Sequence, residues 1–63
     1  MEYTLRYVYP QRIYSFEGKF PTLDEAETEL KKARRIANGY PSSPLKKIDL
    51  GYFDDTGKFV VVK

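Results

Sequence analysis

Hydrophobic and polar residues alternate along four short segments of the chain, and a longer segment with a different period lies in the middle. The alternating segments are residues 2–9, 12–20, 45–53 and 58–63. A period of two is typical of strands that bury one face. The pattern therefore predicts two pairs of strands on either side of one helix, in the order ββαββ.

The helix is predicted for residues 22–39, where apolar residues recur at spacings of three and four. They are Leu23, Ala26, Leu30, Ala33 and Ala37. Thr22 is a good N-cap, and Glu25 three residues later completes a capping box. Gly39 is expected to close the helix in a left-handed conformation, and Pro41 prevents its continuation. The alanines allow this helix to lie close to a sheet.

The first hairpin is predicted to turn at Pro10-Gln11, because proline is pre-set for the first corner of a turn. A turn at these two residues places Tyr7 opposite Tyr14 and Leu5 opposite Phe16. The large apolar side chains of both strands then share one face, which the helix is expected to cover.

The second hairpin is predicted to turn at residues 54–57, with Gly57 at the position of positive φ. This four-residue loop pairs Tyr52 with Phe59 and Leu50 with Val61. The apolar side chains again share the face beneath the helix.

The predicted fold is a single α+β domain, residues 1–63, with a four-stranded sheet and one helix packed across one face. A β-grasp-like order, with the first and last strands parallel at the centre, keeps the valine-rich last strand off the edge. That element order resembles the small immunoglobulin-binding domains of bacterial surface proteins; no run of residues matches them, and immunoglobulin binding is not inferred. In the alternative, the two hairpins meet along other edges or across a dimer.

Composition argues against catalysis. The 63 residues include no cysteine and no histidine, the side chains that most often act as metal ligands and nucleophile–base pairs. Asp54 and Asp55 lie in a turn, where aspartate commonly makes local hydrogen bonds. Ser42 and Ser43 have no histidine or cysteine to activate them. We therefore predict a protein that is not an enzyme, with no catalytic residue, cofactor or metal site.

Location is predicted from what the chain lacks. No apolar run approaches the ~20 residues that span a bilayer, and no signal-peptide pattern opens the chain. A cytoplasmic location without membrane contact is expected.

The strands carry interleaved tyrosine, phenylalanine and arginine, a composition that can form a stacking platform for single-stranded nucleic acid. The predicted registers assign most of these rings to the core instead. The opposite, uncovered sheet face then carries Thr4, Arg6, Val8, Ile13, Ser15, Glu17, Lys47, Asp49, Phe53, Lys58, Val60 and Val62. Its apolar members resemble a protein contact site ringed by charge: Val8, Ile13, Phe53, Val60 and Val62. The alternative is that these side chains only reflect strand propensity.

The leading functional prediction is a small protein-binding module, of inhibitor or adaptor type, that acts through this face or an edge strand. A homodimer is another use of the same face. The start of the helix, Thr22 to Ala26, resembles that of short accessory proteins of phages and mobile elements, including the small T7-type inhibitor of host RNA polymerase. Capping and helix propensity explain these five residues, so no polymerase target is inferred.

Nucleic-acid binding is the alternative prediction. Net charge is +2, but residues 31–47 hold six basic residues and no acid, whereas the remainder carries a balance of −4. The basic residues are Lys31, Lys32, Arg34, Arg35, Lys46 and Lys47. Such asymmetry can mark an anionic partner, and it also arises when basic side chains complement the helix dipole. Phosphate binding requires the end of the helix and the start of the third strand to lie side by side.

Overall fold

The computed structural model describes residues 1–63 and confirms the α+β class and the ββαββ order. The strands are β1 (Tyr3–Tyr9), β2 (Ile13–Phe20), β3 (Lys47–Phe53) and β4 (Phe59–Val61), and the helix is α1 (Leu23–Asn38). A 3-10 turn, Pro10–Arg12, joins β1 to β2. The structure contains no helix with the length and apolar composition needed to cross a bilayer.

The four strands form one antiparallel sheet in the order β2-β1-β3-β4, so the predicted β-grasp order is wrong. The two hairpins meet through antiparallel pairing of β1 with β3, and β4 lies at an edge. The backbone N–H of Lys46 already donates to the carbonyl of Val8 as the chain enters β3. The edge is protected by the shortness of β4, which has three residues, rather than by a central position for the last strand.

The core lies between α1 and the covered face of the sheet. Its buried cluster consists of Leu5, Ala26, Leu30, Ile48 and Leu50. Ala26 and Leu50 are both 0% exposed, because a helix with alanine at the contact approaches the sheet closely enough to exclude water. The helical stripe was predicted correctly, although Ile36 at its flank is 63% exposed.

Both helix ends can be traced to single residues. The hydroxyl of Thr22 accepts a hydrogen bond from the backbone N–H of Glu25 at 3.3 Å, which confirms the predicted N-cap. Gly39 instead has φ −80° and ψ −3°, so the predicted left-handed conformation is wrong. Its N–H donates to the carbonyl of Ile36 at 3.0 Å, which ends the helix with a tight right-handed turn.

The first hairpin has three loop residues instead of the predicted two, since Tyr9 pairs with Ile13. Gln11 and Arg12 both adopt positive φ, at 65° and 60°. One extra loop residue moves every following side chain of β2 to the other face of the sheet. Tyr14 and Phe16 therefore lie opposite Val8 and Arg6, away from the helix.

The second hairpin is displaced in the same way, because Phe53 pairs with Phe59. Backbone bonds from Asp54 to Lys58 and from Gly57 to Asp54 close the loop. Gly57 has φ 83°, which confirms its predicted role, and the loop is a turn followed by a left-handed residue. Phe59 consequently lies on the uncovered side and Val60 pairs with Tyr52 on the helix side.

A bulge returns the end of β2 to the expected face. The register shifts between the pairs Leu5–Glu17 and Tyr3–Phe20, where Gly18 has φ 77°. Phe20 therefore packs against the core, as predicted. An L-residue at Gly18 would combine positive φ with a Cβ only 2.5 Å from the Phe20 ring.

Arg12→Gly is expected to stabilise the protein by about 0.5 kcal/mol. Left-handed conformation costs an L-residue ~1–2 kcal/mol, while glycine loses roughly 0.5–1 kcal/mol more conformational entropy on folding. Chemical denaturation at neutral pH would measure the difference in the free energy of unfolding. Arg12→Ala is the matched control, since it removes the same charge and keeps the strain; equal stabilisation by both variants would contradict this account of the turn.

Asp54→Ala is expected to destabilise the protein at neutral pH, and this loss should shrink in acid. The Asp54 carboxylate accepts hydrogen bonds from the Thr56 hydroxyl at 2.6 Å and from the backbone N–H groups of Thr56 and Lys58 at 2.9 and 3.0 Å. The bond from the Thr56 side chain, followed by that from the Lys58 backbone, lowers the pKa of Asp54. A lowered folded-state pKa means that the stabilisation is complete above the ordinary value of about 3.9 and disappears as pH falls through the folded-state value.

Thermal unfolding of wild type and Asp54→Ala between about pH 7 and pH 2 would follow this convergence. Asp55→Ala is the control, because the neighbouring carboxylate makes no hydrogen bond of this kind. A difference between wild type and Asp54→Ala that stays constant with pH would show that the carboxylate charge is not involved.

Candidate protein-binding site

The face of the sheet opposite α1, called here the open face, is covered by no other part of the chain. Strand alternation and the side-chain contacts assign it Thr4, Arg6, Val8, Tyr14, Phe16, Lys47, Asp49, Gly51, Phe53, Phe59 and Val61. Four of these residues, Tyr14, Phe16, Phe53 and Phe59, form what we call the aromatic patch. Three of the four strands contribute to it.

Three phenylalanine rings of the aromatic patch pack on one another. The centroid of Phe16 lies 5.0 Å from that of Phe53 and 5.3 Å from that of Phe59, and the Phe53–Phe59 distance is 5.3 Å. The rings are tilted by 57° to 67°, as edge-to-face aromatic contacts prefer. The patch is thus an ordered cluster.

Gly51 makes room for this cluster in the middle of the sheet. A Cβ atom at residue 51 would lie 2.8 Å from the ring of Phe59 and would overlap the carbonyl oxygen of Val60. Because glycine has no side chain, the Phe59 ring can lie close to the backbone of β3 and reach Phe16 on the far side of β1.

Arg6 occupies the centre of the open face. Its guanidinium carbon lies 4.8 Å from the ring centroids of both Tyr14 and Phe59. The same group donates to Asp49 Oδ2 from Nη2 at 2.7 Å and from Nε at 3.3 Å. The two side chains are 18% and 9% exposed, and no buried side-chain polar atom lacks a hydrogen-bond partner. A partner could cover this centre without leaving an unpaired charge.

The aromatic patch is largely exposed to solvent. Tyr14, Phe16 and Phe53 are 46%, 44% and 49% exposed. None of the ten aromatic residues of the chain is buried, since the core cluster consists of aliphatic side chains and alanine. Tyr3, Tyr7 and Phe20 are half-buried against the core, whereas the aromatic patch forms an exposed apolar surface on the other side of the sheet.

Charge differs between the two ends of the open face. At the end near Phe53, clefts of about 300 and 400 Å³ are lined by Glu2, Asp54 and Asp55 together with Lys19. At the other end β3 begins with Lys47, whose Nζ lies 3.8 Å from Asp49 Oδ1. Lys58 and the amino group of Met1 lie at the same end as these acids, so the end near Phe53 carries mixed charge.

The five apolar residues predicted to form the contact site are only partly brought together. Phe53 lies on the open face as predicted, and Val8 lies there but is 9% exposed. Ile13 and Val60 pair with Tyr9 and Tyr52 on the helix side, so placing them on the open face was wrong. The cause is that each hairpin pairs one residue away from the predicted register. Val62 follows the end of β4 and is 40% exposed.

Tyr14, Phe16, Phe59 and Val61 are the open-face residues that the sequence pattern misplaced. The Asp54-Asp-Thr-Gly57 segment does suit a three-residue loop with glycine last, which would have indicated the position of Phe59. Nothing comparable in Pro10-Gln-Arg12 indicates the length of the first loop, because neither Gln11 nor Arg12 is a residue that favours positive φ.

Three of the six basic residues of the alternative prediction are brought to one cleft. Arg34, Lys46 and Lys47 border a cleft of about 300 Å³ between the end of α1 and the start of β3, so the required side-by-side arrangement is present there. Arg34 Nη2 donates to the carbonyl of Ile48 at 3.0 Å. Lys32 lies on the other flank of the helix, 3.6 Å from Glu29. Lys31 and Arg35 are exposed.

A further open cleft of about 370 Å³ lies on the helix side, between Tyr7, Ile36, Tyr40 and Leu45. Burial, and then the negative charge of Glu17, raises the pKa of Tyr7 above its ordinary value. No group of three histidine, cysteine, aspartate or glutamate side chains is arranged to hold a metal ion.

Comparison of the chain with protein-family models, with curated proteins and with solved structures finds no match.

Arg6→Met and Asp49→Leu are each expected to destabilise the protein by about 1–3 kcal/mol. Asp49→Leu leaves the Arg6 guanidinium without its carboxylate, and Arg6→Met leaves the 9% exposed Asp49 side chain with only the exposed Lys47 ammonium, 3.8 Å away. The double variant should recover most of this loss. Chemical denaturation of all four proteins gives the coupling energy. Strictly additive losses would show that the two groups do not stabilise each other.

Proposed function

We propose that this protein is a small protein-binding module whose binding surface is the open face. The observation that carries the proposal is the aromatic patch, an ordered cluster of exposed rings around Arg6. Tyrosine, phenylalanine and arginine are enriched at the centres of protein interfaces, whereas lysine and glutamate are depleted there. An inhibitor or adaptor acts by such binding alone.

The geometry of Arg6 favours a folded protein partner. The guanidinium is already bonded to Asp49 and stacked between Tyr14 and Phe59, so its position does not have to be organised on binding. Surfaces that are ordered in advance lose less side-chain entropy when they bind. Charged side chains around the rings would then set orientation and the rate of association.

Base stacking on the same rings is less well supported. Sequence-tolerant binding of single strands needs ring faces that are free to accept bases along a positively charged groove. The three phenylalanines pack on one another at angles of 57° to 67°, and Asp49 neutralises the central arginine.

Nucleic-acid binding at a separate place is the second candidate function. It rests on the cleft bordered by Arg34, Lys46 and Lys47, where cationic side chains surround a space large enough for a phosphate group. Binding of this kind should weaken steeply between about 50 and 200 mM salt.

Phe16→Glu is expected to abolish capture of the protein partner and to leave the fold intact. The side chain is exposed on the open face and lies outside the core cluster. Immobilised wild type and variant would be incubated with an extract of the producing cells, with and without nuclease, and bound proteins identified by mass spectrometry. Circular dichroism would confirm that the variant is folded.

Ile36→Glu is the matched control, since it introduces the same charge at a residue that is 63% exposed on the helix. Its captured proteins should equal those of wild type. Equal capture by Phe16→Glu and wild type would contradict the proposed site. Capture that nuclease removes, and that Lys46→Glu abolishes, would favour the second candidate.

A further inference from the structure

We infer that a single-stranded nucleic acid binds around the C-terminal end of α1. A phosphate would lie between the end of α1 and the start of β3, and a neighbouring base would lie on the other flank of the helix, among tyrosine side chains. This inference rests on the second candidate function, because the phosphate occupies the same cleft. It adds the kind of nucleic acid that is bound and the residues that select it, and it does not involve the open face.

The cleft between the end of α1 and the start of β3, called here the basic cleft, contains cationic side chains and no acid. Its charged lining residues are Arg34, Lys46 and Lys47, and Asn38 adds a side-chain amide. Neither Arg34 nor Lys46 forms a salt bridge, and Lys47 lies 3.8 Å from Asp49. Guanidinium and ammonium groups both bind phosphate oxygens. The basic cleft therefore complements a phosphate in charge.

Arg34 is held in position by the neighbouring strand. Its Nη2 donates to the backbone carbonyl of Ile48 at 3.0 Å, and an arginine has five N–H donors in all. Most of its donors thus remain available for phosphate oxygens, which arginine binds in pairs. The dipole of α1 accounts for basic side chains in the last turn of the helix. It does not account for Lys46 and Lys47, which lie at the start of the next strand.

The cleft on the other flank of α1, called here the tyrosine cleft, is lined by aromatic rings that pack on no other ring. It contains Tyr7, Tyr9 and Tyr40, with Ser42 among its polar residues, and has a volume of about 370 Å³. None of the ring-to-ring contacts of the chain involves these three tyrosines, and Tyr40 is 65% exposed. Rings with free faces are the side chains on which the bases of single strands stack.

The two clefts meet beside the last turn of α1. Both are lined by Ala37 and Leu45, so these two side chains form the boundary between them. Because a helix has 3.6 residues per turn, Arg34 and Ile36 lie on opposite flanks of α1, with Ala37 between them. A strand that crosses the end of the helix therefore meets cations on one flank and tyrosine rings on the other. The bases of a duplex are paired and stacked inside it, so the tyrosine cleft selects a single strand.

Fluorescence anisotropy with a labelled single strand of about ten thymidines would measure this binding. Three cations that face phosphates predict that affinity falls about 20-fold between about 50 and 200 mM salt. Lys46→Gln should reduce the slope of log K against log[salt] from about −2 to about −1.4. Lys58→Gln is the matched control, since it removes the same charge from the second hairpin and should leave affinity and slope unchanged. Equal effects of the two variants would overturn the position of the phosphate.

Tyr40→Ala tests the position of the base. Loss of one stacking ring should weaken binding at least fivefold at every salt concentration, whereas Tyr40→Phe keeps the ring and should bind like wild type. Circular dichroism is expected to show both variants folded, because Tyr40 is exposed and lies outside the core cluster. Equal binding by Tyr40→Ala and wild type would overturn the stacked base.

Competitors distinguish a strand from other anions. The annealed duplex, polyglutamate and thymidine monophosphate should each compete at least tenfold less well than the unlabelled strand. Equal competition by any of the three would overturn the inference, because it would show that duplex, charge alone or a free nucleotide satisfies the site. The absence of binding at about 50 mM salt would also overturn it.

The inference and the functions proposed above fail in different ways. Duplex binding that Lys46→Gln weakens and Tyr40→Ala does not change would overturn the choice of a single strand and leave the second candidate function standing. Phe16→Glu should bind the strand like wild type. Loss of strand binding in Phe16→Glu would overturn the inference by placing the nucleic acid on the open face.

Discussion

The antiparallel pairing of β1 with β3 determines what lies on each side of the sheet. The pair Leu5–Leu50 is buried beneath α1. The next pair along the ladder, Arg6–Asp49, lies on the open face. One five-pair ladder thus joins the two hairpins, provides the central apolar contact of the core and brings the charges of the open face together. A shift of β3 by one residue in this ladder would move each of its side chains to the opposite face of the sheet.

The helix and the central strands could be predicted from the sequence because their signals are local and redundant. The 3.6-residue period, the Thr22 cap and the apolar alternation of Ile48 and Leu50 all agree. Strand order could not be predicted in the same way, because nothing in the apolar pattern distinguishes parallel pairing of β1 with β4 from antiparallel pairing of β1 with β3. Both orders cover the same face with the same helix.

The sequence predicted that one face of the sheet is uncovered, but it did not predict correctly which residues lie there. The reason is the geometry of the two hairpin loops. A hairpin loop that is one residue longer reverses the facing of the whole strand after it, so a small error in the loop becomes a large one in the site. Phe53, on the strand that precedes its loop, was placed correctly. Phe16 and Phe59, on the strands that follow their loops, were not. The alternation of apolar and polar residues along β2 and β4 is the same whichever of the two registers is chosen, so it could not reveal the error.

The small core separates the residues that this chain needs for folding from those that it can use for recognition. Five buried side chains, a helix cap and two loops maintain the architecture, whereas Tyr14, Phe16 and Phe53 contribute none of the interior. If the open face binds a partner as proposed, substitution of these rings would alter that binding and leave the buried cluster unchanged. Such a scaffold is highly evolvable, since a change of target requires a few replacements on one side of the sheet and no new way of folding.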